Sequence, residues 1–231
     1  MKKRIAKFIA DSGVASRRAA EALIENGAVS VNGKIIDTPV VFVDDTDDVL
    51  VNGKKITTIR NTEIYAFHKP INTMTTRHDP SGRKTIYDCI PDEMRNLKYI
   101  GRLDYKTTGL LLLTNDGELA RKMTLPSSQI PRTYIATVYG DLSKLDLARR
   151  GITIRGIKYA PMQIDVLDNK TLRITITEGK KNEIRIVLST IGAPVKKLHR
   201  ISYANIELGN LPPNKIRKVN QKTIDAIIKS F

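Results

Sequence analysis

Tryptophan is absent from the 231 residues, cysteine occurs once, at Cys89, and aromatic residues make up only 5% of the chain. One thiol excludes an internal disulfide and any metal cluster built on cysteines. Few rings mean that any stacking on nucleobases rests on very few residues. No apolar run approaches the roughly 20 residues a membrane span requires. Residues 1–7 are basic but lack the apolar core of a signal peptide, so a soluble, cytoplasmic protein without membrane attachment is expected. His68, His78 and His199 are scattered, and neither an H-E-x-x-H nor a C-x-x-C spacing occurs, so no metal site is expected. No phosphate-cradling glycine loop or dinucleotide fingerprint is present, and no small-molecule cofactor is expected. Internal repeats and low-complexity tracts are missing as well.

What the chain does have is positive charge. Lys and Arg number 39 against 24 Asp and Glu, giving a formal net charge of +15 and a pI near 9.9. Such a balance favours a polyanion as partner. A hydrophobic fraction of 41% supports a sizeable core. The charge is uneven: residues 1–34 hold seven Lys/Arg and three Asp/Glu, whereas residues 35–53 hold five Asp and no Lys or Arg. A basic face with an acidic far edge suits oriented docking on a phosphate backbone.

Residues 3–26 read as two short helices. Ile5, Phe8 and Ile9 have helical spacing, Ser12-Gly13 interrupts, and Ser16 is placed to cap a second helix that ends at Asn26-Gly27. Short strands follow at 29–31, 34–36 and 49–51, with hairpin signals at Asn32-Gly33 and Asn52-Gly53. Residues 1–58 thus form a helix–helix–hairpin unit, and the polar residues 59–63 serve as a linker. From 64 to 231, short strands (64–67, 135–139, 164–167, 172–176) are interspersed with helices (142–150, 184–191, 223–229), which predicts an α+β domain around a mixed, largely antiparallel central sheet.

The most informative stretch is 101–116, Gly-Arg-Leu-Asp-Tyr-Lys-Thr-Thr-Gly-Leu-Leu-Leu-Leu-Thr-Asn-Asp. A carboxylate, Asp104, stands in a polar turn beside Arg102, directly ahead of an apolar strand, where its orientation can be fixed. Asn115-Asp116-Gly117 closes the run as a turn signal. This stretch resembles the catalytic signature of the RsuA/RluB-type pseudouridine synthases. The segments Ala15-Ser16-Arg17-Arg18 and 24–34, ending Val29-Ser30-Val31-Asn32-Gly33-Lys34, resemble the RNA-binding domain named after ribosomal protein S-four.

The first resemblance implies an enzyme that detaches uracil from its ribose, turns it, and reattaches it through carbon-5, with no net oxidation or hydrolysis. It implies that Asp104 attacks the target, either as a covalent nucleophile or by stabilising positive charge on the ribose. Arg102 either pairs with a neighbouring acid or enters the RNA stack vacated by the flipped base. Tyr134, in Arg132-Thr133-Tyr134-Ile135-Ala136, shares a strand face with Ala136 and Val138, so core packing is one reading. The resemblance implies another, stacking on the flipped base and proton transfer. In Glu178-Gly179-Lys180-Lys181-Asn182-Glu183-Ile184-Arg185-Ile186, Arg185 matches a family arginine that pairs with the catalytic carboxylate, while Ile186 replaces the second arginine of that motif. Leu198 matches an apolar residue lining the uracil pocket.

Arg17, Arg18 and Lys34 are the expected phosphate contacts of the first unit. Lys180, Lys181, Lys196 and Lys197, with His199 and Arg200, form a basic concentration beside the expected pocket. Arg77 lies in a second basic loop, 75–85, that resembles the RluB branch and points to large-subunit ribosomal RNA, read as a stem-loop by a monomer. A small-subunit substrate and a non-catalytic ribosome-assembly role are the alternatives. The carboxylate motif speaks against the second. A DNA-binding helix-turn-helix would rest on the first two helices alone.

Overall fold

The computed structural model describes residues 2–57 and 61–231. The chain divides into two compact units. The first takes in the described residues up to Thr62 with Asn96–Lys98 and Asn115–Gly117, and the second Glu63–Arg95, Tyr99–Thr114 and Glu118–Phe231. The domain end expected at residue 58, and residues 59 and 60 of the expected linker, lie outside the described residues.

In the first unit, β1 (Lys3–Arg4) leads into α1 (Ile5–Asp11), whose Ile5, Phe8 and Ile9 are buried as their spacing requires. The Ser16 hydroxyl caps α2 (Arg17–Glu25), accepting from the Ala19 N–H at 3.2 Å. Arg17 and Arg18 face solvent at its first turn. Four strands follow in the order β3 (Lys34–Ile35), β2 (Val29–Val31), β5 (Val49–Val51) and β6 (Lys54–Lys55). Asn32-Gly33 and Asn52-Gly53 both take positive φ at each residue (51° and 81°, 49° and 73°), the conformation that a tight hairpin demands. A pairing of β1 with β4 (Phe42–Val43) was not legible in the composition of either segment. Val29, Val43, Val49, Val51 and Ile56 close the core over the two helices.

The second unit is built on one large sheet in the order β13 (Gln163–Val166), β14 (Thr171–Ile176), β10 (Arg132–Val138), β15 (Val195–Tyr203), β9 (Thr107–Thr114), β7 (Ile64–Lys69) and β17 (Ile216–Lys218). Off this path β8 (Lys98–Ile100) pairs with β9 and β16 (Ile206–Glu207) with β15, making nine strands. Neighbours along the path are antiparallel except β9 and β15, which run parallel. β11 (Ile152–Ile154) and β12 (Ile157–Tyr159) form a separate hairpin. Leu110 to Leu113 are fully buried on both faces of the sheet. On one face Leu110 and Leu112 join Leu119, Ala120 and Met123 of α3 (Gly117–Thr124) and Ile224 and Ile227 of α6 (Gln221–Lys229). The remaining helices are α4 (Leu145–Arg150) and α5 (Glu183–Thr190).

Asn115-Asp116-Gly117 ends the β9 run as its turn signal indicates, and Gly117 then opens α3, a helix absent from the expected elements, because Leu119, Ala120 and Met123 bury one helical face against the sheet. One expectation needs correction. The basic stretch 195–200 lies in a nine-residue strand, with Lys196 and Lys197 outward but Arg200 buried.

Gly109 is what lets β9 and β15 meet. Its φ is +103°, and a Cβ there would lie 2.2 Å from the carbonyl oxygen and 2.7 Å from the nitrogen of Arg200. Gly109→Ala should therefore cost roughly 2–4 kcal/mol through backbone strain and overpacking. Urea unfolding followed by circular dichroism measures this; an unchanged midpoint would contradict the strand contact.

Candidate active site

Asp104 sits in the turn just before β9, and its carbonyl accepts the Thr107 N–H at 2.9 Å. The turn is pinned from outside. Buried Thr75 donates its hydroxyl to the Leu103 carbonyl at 2.8 Å and accepts the Leu103 N–H at 3.3 Å, and the Asn72 N–H reaches the Tyr105 carbonyl at 2.9 Å. The Asp104 side chain is exposed to a cleft of about 800 Å³ and joins no ion pair among the described residues.

That cleft is lined by Arg102, Asp104, Tyr134, Lys180, Lys181, Arg185 and Leu198, so seven of the residues singled out in the sequence converge on one wall or another. Tyr134 (β10) and Leu198 (β15) stand at adjacent strands and are both nearly buried, 7% and 6% exposed, yet each presents an edge to the cleft. Core packing and cavity lining are thus the same placement for these two side chains. Arg102, Lys180 and Lys181 are exposed at the rim. Lys196, Lys197 and Arg77 do not line the cleft; Arg77 donates to the Arg95 carbonyl at 2.8 Å and stacks 4.6 Å from the Tyr87 ring centre. Arg17, Arg18 and Lys34 are exposed on the first unit.

Arg185 differs from its expected role. It forms no direct ion pair with Asp104; its Nη1 donates to the Val195 carbonyl at 3.1 Å and its Nη2 lies 3.5 Å from the Lys106 carbonyl. Burial lowers the affinity of its guanidinium for the proton, and the Asp104 charge opposes that fall. The arginine therefore supplies field to the carboxylate while its hydrogen bonds are spent on the backbone that shapes the turn.

Lys69 was missed in the sequence, and the burial of Arg200, Arg132 and His199 was not legible there. Lys69, fully buried at the end of β7, donates to the carbonyls of Thr107 at 2.9 Å and Pro70 at 3.0 Å. Burial pushes its ammonium down to about 8, with the Asp104 charge working against the shift. Arg200, 1% exposed, donates its Nε to the Leu110 carbonyl at 2.6 Å and lies 6.0 Å from the Tyr134 ring centre and 5.1 Å from that of Tyr203. Arg132 holds the opposite wall, donating to the carbonyls of Thr177 and Glu178 and to the Tyr203 hydroxyl. His199 is also no surface residue: it is half-buried, 2.8 Å from the Thr108 hydroxyl, and burial, with the nearby His68, pushes its imidazole below the ordinary value. No sequence signal separates these buried cations from solvated ones.

Among the described residues, no three His, Cys, Asp or Glu side chains converge as metal ligands, and no helix is long and apolar enough to cross a membrane. A pinned, solvent-facing carboxylate in a cationic, ring-walled cleft on a mixed sheet defines an enzyme that acts on a polyanion. Residues 63–190 match the RNA pseudouridylate synthase family and residues 3–49 the S4 domain. The chain belongs to the RNA pseudouridylate synthase family and is an enzyme that isomerises uridine to pseudouridine. It is 37% identical to an RNA pseudouridine synthase of Rickettsia typhi, over 98% of this chain and 96% of that one. To the protein of Bacillus subtilis named ribosomal large subunit pseudouridine synthase B it is 40% identical, over 94% of this chain and 91% of that one. A crystal structure of a pseudouridylate synthase superposes with a TM-score of 0.71 at 27% identity, covering 97% of this chain and 99% of the other.

The Tyr203 hydroxyl links the two walls, donating to the Met123 carbonyl at 2.7 Å while accepting from Arg132 at 3.2 Å. Tyr203→Phe should lower stability by about 1–2 kcal/mol, because the Met123 carbonyl loses its donor and the Arg132 guanidinium loses an acceptor. The check is the urea midpoint at constant slope; a shift within error would show that the bridge carries no stability.

Proposed function

We propose that this enzyme isomerises a uridine in large-subunit ribosomal RNA, with Asp104 as the catalytic carboxylate. The observation that carries the chemistry is the Asp104 side chain, held in a turn pinned by Thr75 and Asn72 and without an ion pair among the described residues of a cationic cleft. The similarity to the Bacillus subtilis large-subunit enzyme carries the choice of RNA. The target uridine leaves its helix and enters the cleft. Leu198 and the Tyr134 ring offer the apolar and aromatic surfaces for uracil, and the Tyr134 hydroxyl is available for proton transfer to or from the ring. Asp104 then attacks the ribose or stabilises charge there while the bond to nitrogen breaks, the base turns, and carbon-5 takes its place. Arg185 keeps the field at Asp104 positive. Arg102, exposed two residues away, fills the gap left in the RNA stack.

Residues 1–58 act as the RNA-binding domain, joined by 59–63 to the catalytic domain, 64–231. Arg17, Arg18 and Lys34 in the first, and Arg77, Lys180, Lys181, Lys196 and Lys197 in the second, neutralise phosphates of a folded stem-loop. The enzyme acts as a monomer in the cytoplasm, where its ribosomal substrate is made. Because the reaction neither oxidises nor hydrolyses, it proceeds without a small-molecule cofactor.

Asp104→Asn keeps the shape and removes the charge. It should abolish isomerisation, by at least about a thousandfold in kcat, while binding of a ribosomal RNA fragment stays within about twofold. Turnover within tenfold of wild type would remove Asp104 from this role. For the substrate, the purified enzyme is offered large- and small-subunit transcripts in the presence of EDTA, refolded beforehand, and the products are mapped. Modification confined to the large-subunit transcript is expected. Modification of the small-subunit transcript alone would overturn the choice of RNA and leave the chemistry standing.

A further inference from the structure

Glu183, the first residue of α5, is 3% exposed and lies on the cleft wall. Its Oε2 accepts the Lys180 N–H at 3.1 Å. Its Oε1 is buried and has no donor among the other described residues. What faces it is another carboxyl, that of Glu178. Glu178 is itself engaged: its Oε1 accepts the Ala160 N–H at 2.7 Å, and its Oε2 pairs with the Lys180 ammonium. A buried carboxyl facing a second carboxylate resists becoming charged, and a buried oxygen without a donor is costly. One proton shared between the two carboxyls removes both costs at once, by making Glu183 the donor and Glu178 the acceptor.

The other charges nearby do not offer an alternative. Lys180 has its ammonium on Glu178, 5.7 Å from the Tyr159 ring centre. Arg132, on β10, directs its guanidinium to the carbonyls of Thr177 and Glu178 and to Tyr203. Arg185, two residues along α5, is turned toward the Val195 and Lys106 carbonyls. The Glu183 carboxyl thus closes a loop, 178–183, with Asn182 at a φ of 54° as its tight corner. That loop carries Lys180 and Lys181 and sets the start of the helix that carries Arg185.

We propose that Glu183, carrying a proton, is a positioning residue for uridine isomerisation: its O–H donates to Glu178 while its second oxygen receives the Lys180 N–H, and this clasp fixes Lys180, Lys181 and Arg185 around the cleft. The proposal rests on the reading of the cleft as the uridine site. Burial, reinforced by the Glu178 carboxyl, pushes the Glu183 carboxyl up to about 8, whereas the hydrogen bonds from Lys180 and Ala160 outweigh partial burial and hold Glu178 below the usual range. Above that pH the shared proton leaves to solvent, the two carboxylates repel, and the loop loses its closed form. The loop is therefore intact at pH 7 and released as pH rises through about 8.

The test compares kcat/KM on a ribosomal RNA fragment at pH 7 and pH 9 for the wild type, Glu183→Gln and Glu183→Ala. Glutamine supplies an N–H for Glu178 and an oxygen for Lys180 without a titrating proton. The ratio of activity at pH 9 to that at pH 7 should be about tenfold lower for the wild type than for Glu183→Gln, since one pH unit past the midpoint leaves about a tenth of the sites protonated. Titration of the RNA affects every variant alike and cancels in this comparison. Glutamine should also rescue most of the activity that alanine loses at pH 7. Carbon-13 NMR of the glutamate-labelled full chain reads the carboxyl directly, and one resonance should titrate near pH 8 and vanish in Glu183→Gln. Superimposable pH profiles for wild type and Glu183→Gln, or no glutamate titrating above pH 6, would overturn the proposal. An enzyme that modifies no uridine at pH 7 would instead sink the reading of the cleft, and the NMR titration would still decide the clasp.

Discussion

The contact between the backbones of Gly109 and Arg200 is the constraint on which the cleft depends. β9 and β15 run parallel there, with Thr107 opposite Leu198 and Gly109 opposite Arg200. A parallel pair brings the starts of both strands to the same edge of the sheet. The Asp104 turn precedes one start, and Leu198 stands close to the other, so a carboxylate and an apolar wall reach one cleft although they lie 94 positions apart in the chain. The same register places Lys69 opposite Gly109 on the other side of β9. An antiparallel arrangement of these two strands would carry the 195–198 segment to the far end of β9 and leave Asp104 facing nothing that could hold a base.

That geometry has an electrostatic cost. Lys69 and Arg200 are buried cations, and burying a cation is expensive unless it is hydrogen-bonded or paired. Lys69 gains two carbonyls and the field of Asp104; Arg200 gains the Leu110 carbonyl and the faces of Tyr134 and Tyr203, but its Nη2 stays buried without a partner among the described residues. These are choices that stability alone would not favour. Lys69 and Arg185 interact favourably with the Asp104 charge, and no described side chain pairs with that carboxylate directly. A direct Arg185–Asp104 pair would occupy the oxygen that must approach the ribose. With Arg185 tied instead to Val195 and Lys106, the attraction acts through space and the oxygens remain free.

The local signals in the chain were legible where local physics decides. Ser16 caps α2, both Asn-Gly pairs turn, and the Leu110 to Leu113 run is a buried strand, because capping, positive φ and apolar runs act within a few residues. The carboxylate motif marked the cleft for the same reason: its turn and its strand are contiguous. What could not be read was set by partners far along the sequence. Arg200 sits in a run of basic residues and looks solvated until β9 and β10 close over it. Lys69 precedes a proline and looks like a strand end. Asn115-Asp116-Gly117 is a strong turn pair in isolation, and only the sheet face waiting for Leu119 and Met123 makes it the start of a helix. Glu183 stands in the sequence only as an acid among basic residues, just ahead of the expected helix 184–191, and nothing local announces that it is buried.

The walls of the cleft also say which partner must deform. Tyr134 is nearly buried with the Arg200 guanidinium 6.0 Å from its ring centre, and Tyr203 is held by hydrogen bonds to Met123 and Arg132. Swinging either ring out to a stacked base would give up that burial and those contacts. With no tryptophan and few other aromatics, the protein has little means of competing for several bases along a strand. The unstacking cost of a few kcal/mol must therefore be met at one nucleotide. The attraction of many exposed cations for the RNA backbone is available to offset it, because phosphate contacts need no base to move. A rigid apolar slot with a single poised carboxylate suits that division: the backbone supplies the affinity, and the one flipped base supplies the chemistry.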